Sequence, residues 1–185
     1  LPVEVEKAHV GGGRGGTRGR GAAGDVVVRL HQRLQCRLFQ VDDQPLAGQI
    51  GVGTWDATVE MFMAPGAPPA VSKGTETVAM MGGFWQLTEF KSEMMGQPFE
   101  GRGATGYDPA KKKYVGTWVD TMTPAYYTLE GSYDTATKSL TTIMEGPDPS
   151  GAVAKTKAVT AWKDADTRVF TMYGPDGTTP GMRIT

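Results

Sequence analysis

The residues of this chain best placed to do chemistry are carboxylates beside large aromatic side chains. Strand alternation would put Trp118, Asp120 and Met122 on one face of a segment, and Trp85, Leu87 and Glu89 on one face of another. Tyr127, Leu129 and Tyr133 share a face of a third, opposite Tyr126, Thr128 and Glu130. Apolar walls supply contact area, and a few polar groups fix orientation. Trp85, Trp118 and Tyr127 are therefore expected to wall a site for a small, largely apolar molecule, with Glu89 and Asp120 as its polar anchors. The alternative is an enzyme. A buried Glu89 or Asp120 would have a raised pKa and could serve as acid or base in a hydrolase or isomerase acting on an apolar ester, lactone or lipid-derived substrate. The plainer account of any one of these residues is a core aromatic or a water-facing carboxylate.

Other chemistries lack their residues. There is no Gly-x-Ser-x-Gly elbow. Both histidines, His9 and His31, lie early, so a Ser-His-Asp arrangement would need His31. A histidine-held metal or haem is not expected later in the chain. Gly11-Gly12-Gly13 is not followed by the Lys-Ser/Thr of a phosphate loop. Asp148, Asp164, Asp166 and Asp176 have Pro and Gly neighbours that mark turns rather than a calcium site. No cofactor or metal is expected. A net charge of −1 carries no footprint for nucleic acid. No apolar run approaches the roughly 18 residues of a membrane span, and no signal peptide is evident. The single cysteine, Cys36, precludes an intramolecular disulfide and fits a reducing, cytoplasmic compartment. Nothing in the sequence sets the oligomeric state.

The elements that must position these residues begin after a break in composition. Residues 1–50 hold six of the nine arginines and none of the ten methionines or four tryptophans. Residues 11–24 contain eight glycines, so residues 1–24 are expected to form a disordered tail. An arginine-glycine tail can bind RNA, but this one is short and lacks interleaved aromatics. Over 25–50, Val27, Leu30, Leu34, Leu38 and Val41 recur at helical spacing, with Asp25 as a cap and Pro45 beyond the end. The spacing predicts an amphipathic helix and linker, read as a lid on a barrel end in preference to a partner-binding helix.

From 51 to 185 the texture is β. Candidate strands are 53–63, 73–81, 84–94, 99–107, 113–122, 126–134, 139–145, 153–163, 167–173 and 181–185. Turn signals such as Asp108-Pro109 and Pro175-Asp176-Gly177 separate them. The fold class is all-β, a closed antiparallel up-and-down barrel of about ten strands, because closure removes exposed edges. Such a barrel encloses space, which is why a cavity ligand is the favoured function. Met80-Met81 and Met94-Met95 are adjacent pairs, so each pair must address both faces of the sheet. Gly106-Tyr107-Asp108 has an echo in Ser132-Tyr133-Asp134, read as a repeated hairpin solution.

Several segments resemble a known family. Thr54-Trp55-Asp56, Met63-Ala64-Pro65-Gly66, Gly116-Thr117-Trp118-Val119-Asp120, Glu130-Gly131-Ser132-Tyr133-Asp134 and Trp162-Lys163-Asp164 are similar to the bacterial family catalogued as domain of unknown function 1579, over about residues 51–185. The resemblance implies a calycin (lipocalin-like) barrel and no established activity. In such barrels the tryptophan of Gly-x-Trp packs at the closed end beneath an arginine from a late strand. Carried over, that implies a structural closure formed by Trp55 with Arg168, in preference to Arg183.

Overall fold

The computed structural model describes residues 51–64, 66–148 and 150–185. The expected tail and helix of residues 1–50 lie outside the described residues. Ten strands follow one another: β1 Gly53–Met61, β2 Ala70–Met81, β3 Trp85–Met94, β4 Gln97–Asp108, β5 Lys113–Asp120, β6 Thr123–Asp134, β7 Ser139–Pro147, β8 Val153–Trp162, β9 Arg168–Tyr173 and β10 Pro180–Ile184. Each pairs antiparallel with its chain neighbour, and β10 returns to β1, so the sheet is a closed up-and-down barrel. Several strands run longer than their sequence signals. β2 starts at Ala70 and β6 at Thr123, because Pro69 and Pro124 fall at strand ends, where a missing N–H costs little. No helix among the described residues is long and apolar enough to cross a membrane.

Alternation sorts every strand into an inner and an outer face. In β1 the inner set is Trp55, Ala57, Val59 and Met61, and Val59 is wholly buried. The outer sets are rich in Thr, Lys and Glu, as in Thr54, Thr58 and Glu60 of β1 or Lys155 and Lys157 of β8. Two apolar clusters fill different parts of the interior. One joins Ala57, Val59, Phe90, Met94 and Phe99, with Met61, Met182, Ile184 and Trp118 against it. The other joins Tyr114 and Leu140, with Tyr107, Tyr133 and Trp162 packed on them. The second lies at the barrel end where β1 begins and β8 finishes. Met80 and Met81 divide as the alternation requires, Met80 half-buried and Met81 exposed, whereas Met94 is buried at the end of β3 and Met95 already belongs to the turn.

Six of the nine connections between strands share one device. Asp108, Asp120, Asp134, Asp148, Asp164 and Asp176 each accept, through Oδ1, the backbone N–H two residues on. This Asx geometry starts a turn where the chain must reverse. It accounts for the Tyr-Asp echo, since Asp108 and Asp134 close equivalent strand ends. It also accounts for three of the acidic residues weighed above as calcium ligands: Asp148, Asp164 and Asp176 each serve their own turn, Asp166 donates its N–H to Asp164, and among the described residues none are gathered as a metal cluster.

These hydrogen bonds hold the carboxyls of Asp134, Asp148 and Asp176 below the usual carboxylate range, Asp176 furthest. A carboxyl with a depressed folded-state pKa adds stability that is complete above the unfolded value and lost as pH falls toward the folded one. Barrel stability is therefore expected to hold from pH 7 to about 5 and to decline below about pH 4. Replacing these three aspartates by asparagine should flatten the acid limb of a denaturant-midpoint profile against pH.

Candidate functional site

The barrel end where β1 starts is held by a three-residue contact. Trp55 and Glu76 are opposite one another in the β1–β2 register. Arg168 enters from β9, with its guanidinium carbon 5.4 Å from the centroid of the Trp55 ring. Its Nη2 meets Glu76 Oε2 as an ion pair without a directed hydrogen bond, both side chains being less than one-fifth exposed. Burial pulls the Arg168 pKa down, and the Glu76 charge compensates the cation. The Trp55 indole N–H donates to the Gly51 carbonyl at 2.9 Å. Arg183 goes elsewhere: it lies over Phe62 and pairs with Glu60 on the outer wall.

The inner wall of β4–β8 is built differently. One cross-strand row runs Gly103, Trp118, Tyr127, Gly146 and Ala154. Trp118 and Tyr127 are neighbours in it, yet they lean in opposite directions. The Trp118 ring lies over β4, where Cβ atoms added at Gly101 and Gly103 would come within 2.1 and 2.8 Å of it. The Tyr127 ring lies over β7, where a Cβ at Gly146 would sit 2.1 Å from it. Glycine floors thus let both rings lie along the wall, leaning away from each other. Trp118, Tyr127, Leu129 and Met144 all point inward and are only partly buried, Trp118 with one side against the larger apolar cluster.

Asp120 sits at the barrel mouth, at the end where β5 finishes. Its Oδ2 accepts the Trp118 indole N–H at 3.0 Å, and its Oδ1 accepts the Met122 N–H at 2.9 Å. The carboxylate therefore orients Trp118 and ties the β5–β6 turn, where the register shifts by a bulge. Each oxygen retains a free lone pair for a further donor. The Tyr127 hydroxyl donates to the Pro147 carbonyl at 3.3 Å, near the same mouth.

Trp118, Asp120 and Tyr127 thus come together on the inner face. Trp85 and Glu89 do not join them. The register pairs Trp85 with Gly106 and Glu89 with Arg102 on the outer face. Trp85 is 39% exposed and lies across Gly106. Glu89 meets Lys91 at 2.6 Å and Arg102 at 3.1 Å. Lys91, and then Arg102, hold its carboxyl below the usual range, opposite to the rise expected on burial. The residues that sequence reasoning missed are the glycine floors, Gly101, Gly103 and Gly146. Their signal was a run of three glycines at alternate and near-alternate places in β4 (Gly101, Gly103, Gly106), unusual inside a strand.

A second concavity, of about 670 Å³, lies on the outer wall over β5–β8. Its charged groups are already engaged with one another: Lys111 and Lys113 with Glu130, and Lys155 with Glu145.

The family model described as protein of unknown function (DUF1579) matches residues 49–182, and the chain belongs to that family. No curated protein matches the chain.

Trp55→Ala is expected to cost about 3 kcal/mol, the low end for a truncated aromatic, because the ring is only partly buried. Arg168→Ala should lower the urea midpoint clearly, since it strands Glu76 inside the barrel. Arg183→Ala, on the outer wall, should cost no more than about 1 kcal/mol. Equal losses for the two arginines would count against an end closure by Arg168.

Proposed function

We propose that the barrel binds a small, largely apolar molecule in the strip between Trp118 and Tyr127. The observation that carries this reading is the opposed lean of the two rings onto glycine floors. Two large neighbouring side chains that could fill the interior instead line it. Leu129 and Met144 form the floor one step deeper, paired across β6 and β7. The apolar lining supplies the area, and Asp120 is the polar group at the mouth. The ligand enters at the Asp120 end, because the Trp55–Arg168–Glu76 contact and the tyrosine cluster occupy the other. This arrangement is lipocalin-like in use as well as outline.

Binding is favoured over the hydrolase or isomerase alternative by placement. The two carboxylates nominated for acid–base work, Glu89 and Asp120, stand on opposite faces of the barrel wall, and Glu89 is kept ionised by Lys91 and Arg102. Of the two, only Asp120 faces the inside, where it orients the Trp118 indole; Glu89 is out of reach of a substrate held there.

An uncharged, polarity-sensitive fluorophore such as N-phenyl-1-naphthylamine should brighten on binding and quench tryptophan emission. Gly146→Ala pushes the Tyr127 ring off its floor into that strip, so it should weaken binding by about tenfold or more, a cost of about 1.4 kcal/mol. Gly146→Ala combined with Tyr127→Ala should restore it. If Gly146→Ala leaves the affinity unchanged, the ligand does not occupy this strip.

A further inference from the structure

The charges around the lumen specify the head group of its ligand, an inference that rests on the binding reading above. Among the described residues Arg168 is the one cation on an inner face. Lys73, Lys91, Arg102, Lys113, Lys155 and Lys157 alternate outward, and Arg183 is on the outer wall with Glu60. Arg168 is spoken for by Glu76 and Trp55. Among the described residues an anionic head group entering the lumen therefore finds no free positive charge, and Asp120 repels it. Burying an uncompensated charge is strongly unfavourable.

The two barrel ends differ in the same sense. The hairpins at the Asp120 end span 62–69, 95–96, 121–122, 148–152 and 174–179. They carry Asp148 and Asp176 and no lysine or arginine. Both aspartates are held ionised by their turn hydrogen bonds. The hairpins at the other end, 82–84, 109–112, 135–138 and 163–167, carry Lys111, Lys112, Lys138 and Lys163 against Asp164 and Asp166. Arg183, over Phe62 beside this mouth, is balanced by Glu60, so the charges of the described residues sum negative there, which draws cations in and turns anions away. Immediately inside lie a tryptophan and a tyrosine ring with a carboxylate between turn and indole. Aromatic faces attract ammonium groups, and a carboxylate with spare lone pairs accepts their N–H donors. The tips Met63, Met95 and Met122 at this end are more than half exposed, an apolar approach for the tail.

We infer that the lumen takes a cationic amphiphile: an apolar body seated between Trp118 and Tyr127, with an amine head at Asp120. Carboxylates such as fatty acids are discriminated against.

The test displaces bound N-phenyl-1-naphthylamine from the full chain with three ten-carbon competitors: decylamine, decan-1-ol and decanoate, each below its micellar concentration. Decylamine is expected to bind at least about fivefold tighter than the alcohol, and decanoate about tenfold weaker than the alcohol. Asp120→Asn should erase the amine's advantage over the alcohol, read as the ratio of the two affinities within the same variant. Added salt should narrow the gap between amine and carboxylate. Glu76→Gln uncovers Arg168 and should raise decanoate affinity. If the variant does not fold, the wild-type series still decides. Failure of the fluorophore to bind would remove the binding reading itself. Fluorophore binding with decylamine no tighter than decanol, or with decanoate the tightest, would overturn the cationic assignment and leave the binding reading standing.

Discussion

Everything inside this barrel depends on one seam. β10 and β1 meet through three register pairs, Val59 with Ile184, Glu60 with Arg183 and Met61 with Met182, extended by reciprocal hydrogen bonds between Thr58 and Thr185 at 2.7 and 3.0 Å. Most other adjacent pairs share seven or more. Without that seam the sheet would have two exposed edges, and its inner face would open to water. The seam is short, but it is backed on both sides. Val59, Met182 and Ile184 press into the larger apolar cluster, and Glu60 with Arg183 ties the same pairs outside. The ends of the chain's described part thus lock each other, so the lumen exists only in the completed fold.

Closure makes an interior; what occupies it is a second matter. On the β1–β4 side, side chains of ordinary size pack into a solid cluster. On the β4–β8 side, Trp118 and Tyr127 lie on glycines and stay only partly buried. The same residue type plays opposite parts: Trp55 is pinned under Arg168 at a sealed end, whereas Trp118 is held flat along the wall by Asp120 and two glycines. Glycine inside a strand weakens the ladder locally. Gly101, Gly103 and Gly146 are each covered by an aromatic ring from the neighbouring strand, which shields the backbone hydrogen bonds at those positions.

The strand plan was largely legible. Period-two alternation and Asp-, Pro- and Gly-marked turns placed all ten strands within a few residues, because those signals act locally. The site was legible in part. Alternation correctly grouped Trp118 with Asp120 and Trp85 with Glu89, but a period of two says only which residues share a face. It does not say which face is inside. Both strands carry an aromatic and an acid on one face and apolar side chains on the other as well, so composition does not break the tie. The break comes from partners: Phe90 and Met94 claim the interior for their face of β3, sending Trp85 and Glu89 out.

The sequence by itself determined the all-β class, the number of strands, the turn positions and the pairing of residues into faces. Each of these follows from the conformational preferences of neighbouring residues and from the two-residue repeat of an extended chain. It also distinguished the arginine suited to stack on Trp55, once the family resemblance supplied a barrel end for it. Only the tertiary structure decided which faces look inward, that Glu89 is a surface ion-pair partner, and that Trp118 and Tyr127 splay apart over Gly101, Gly103 and Gly146. Those outcomes depend on register between strands and on closure of the ring. Both are set by contacts between residues far apart in the chain, which no local pattern encodes.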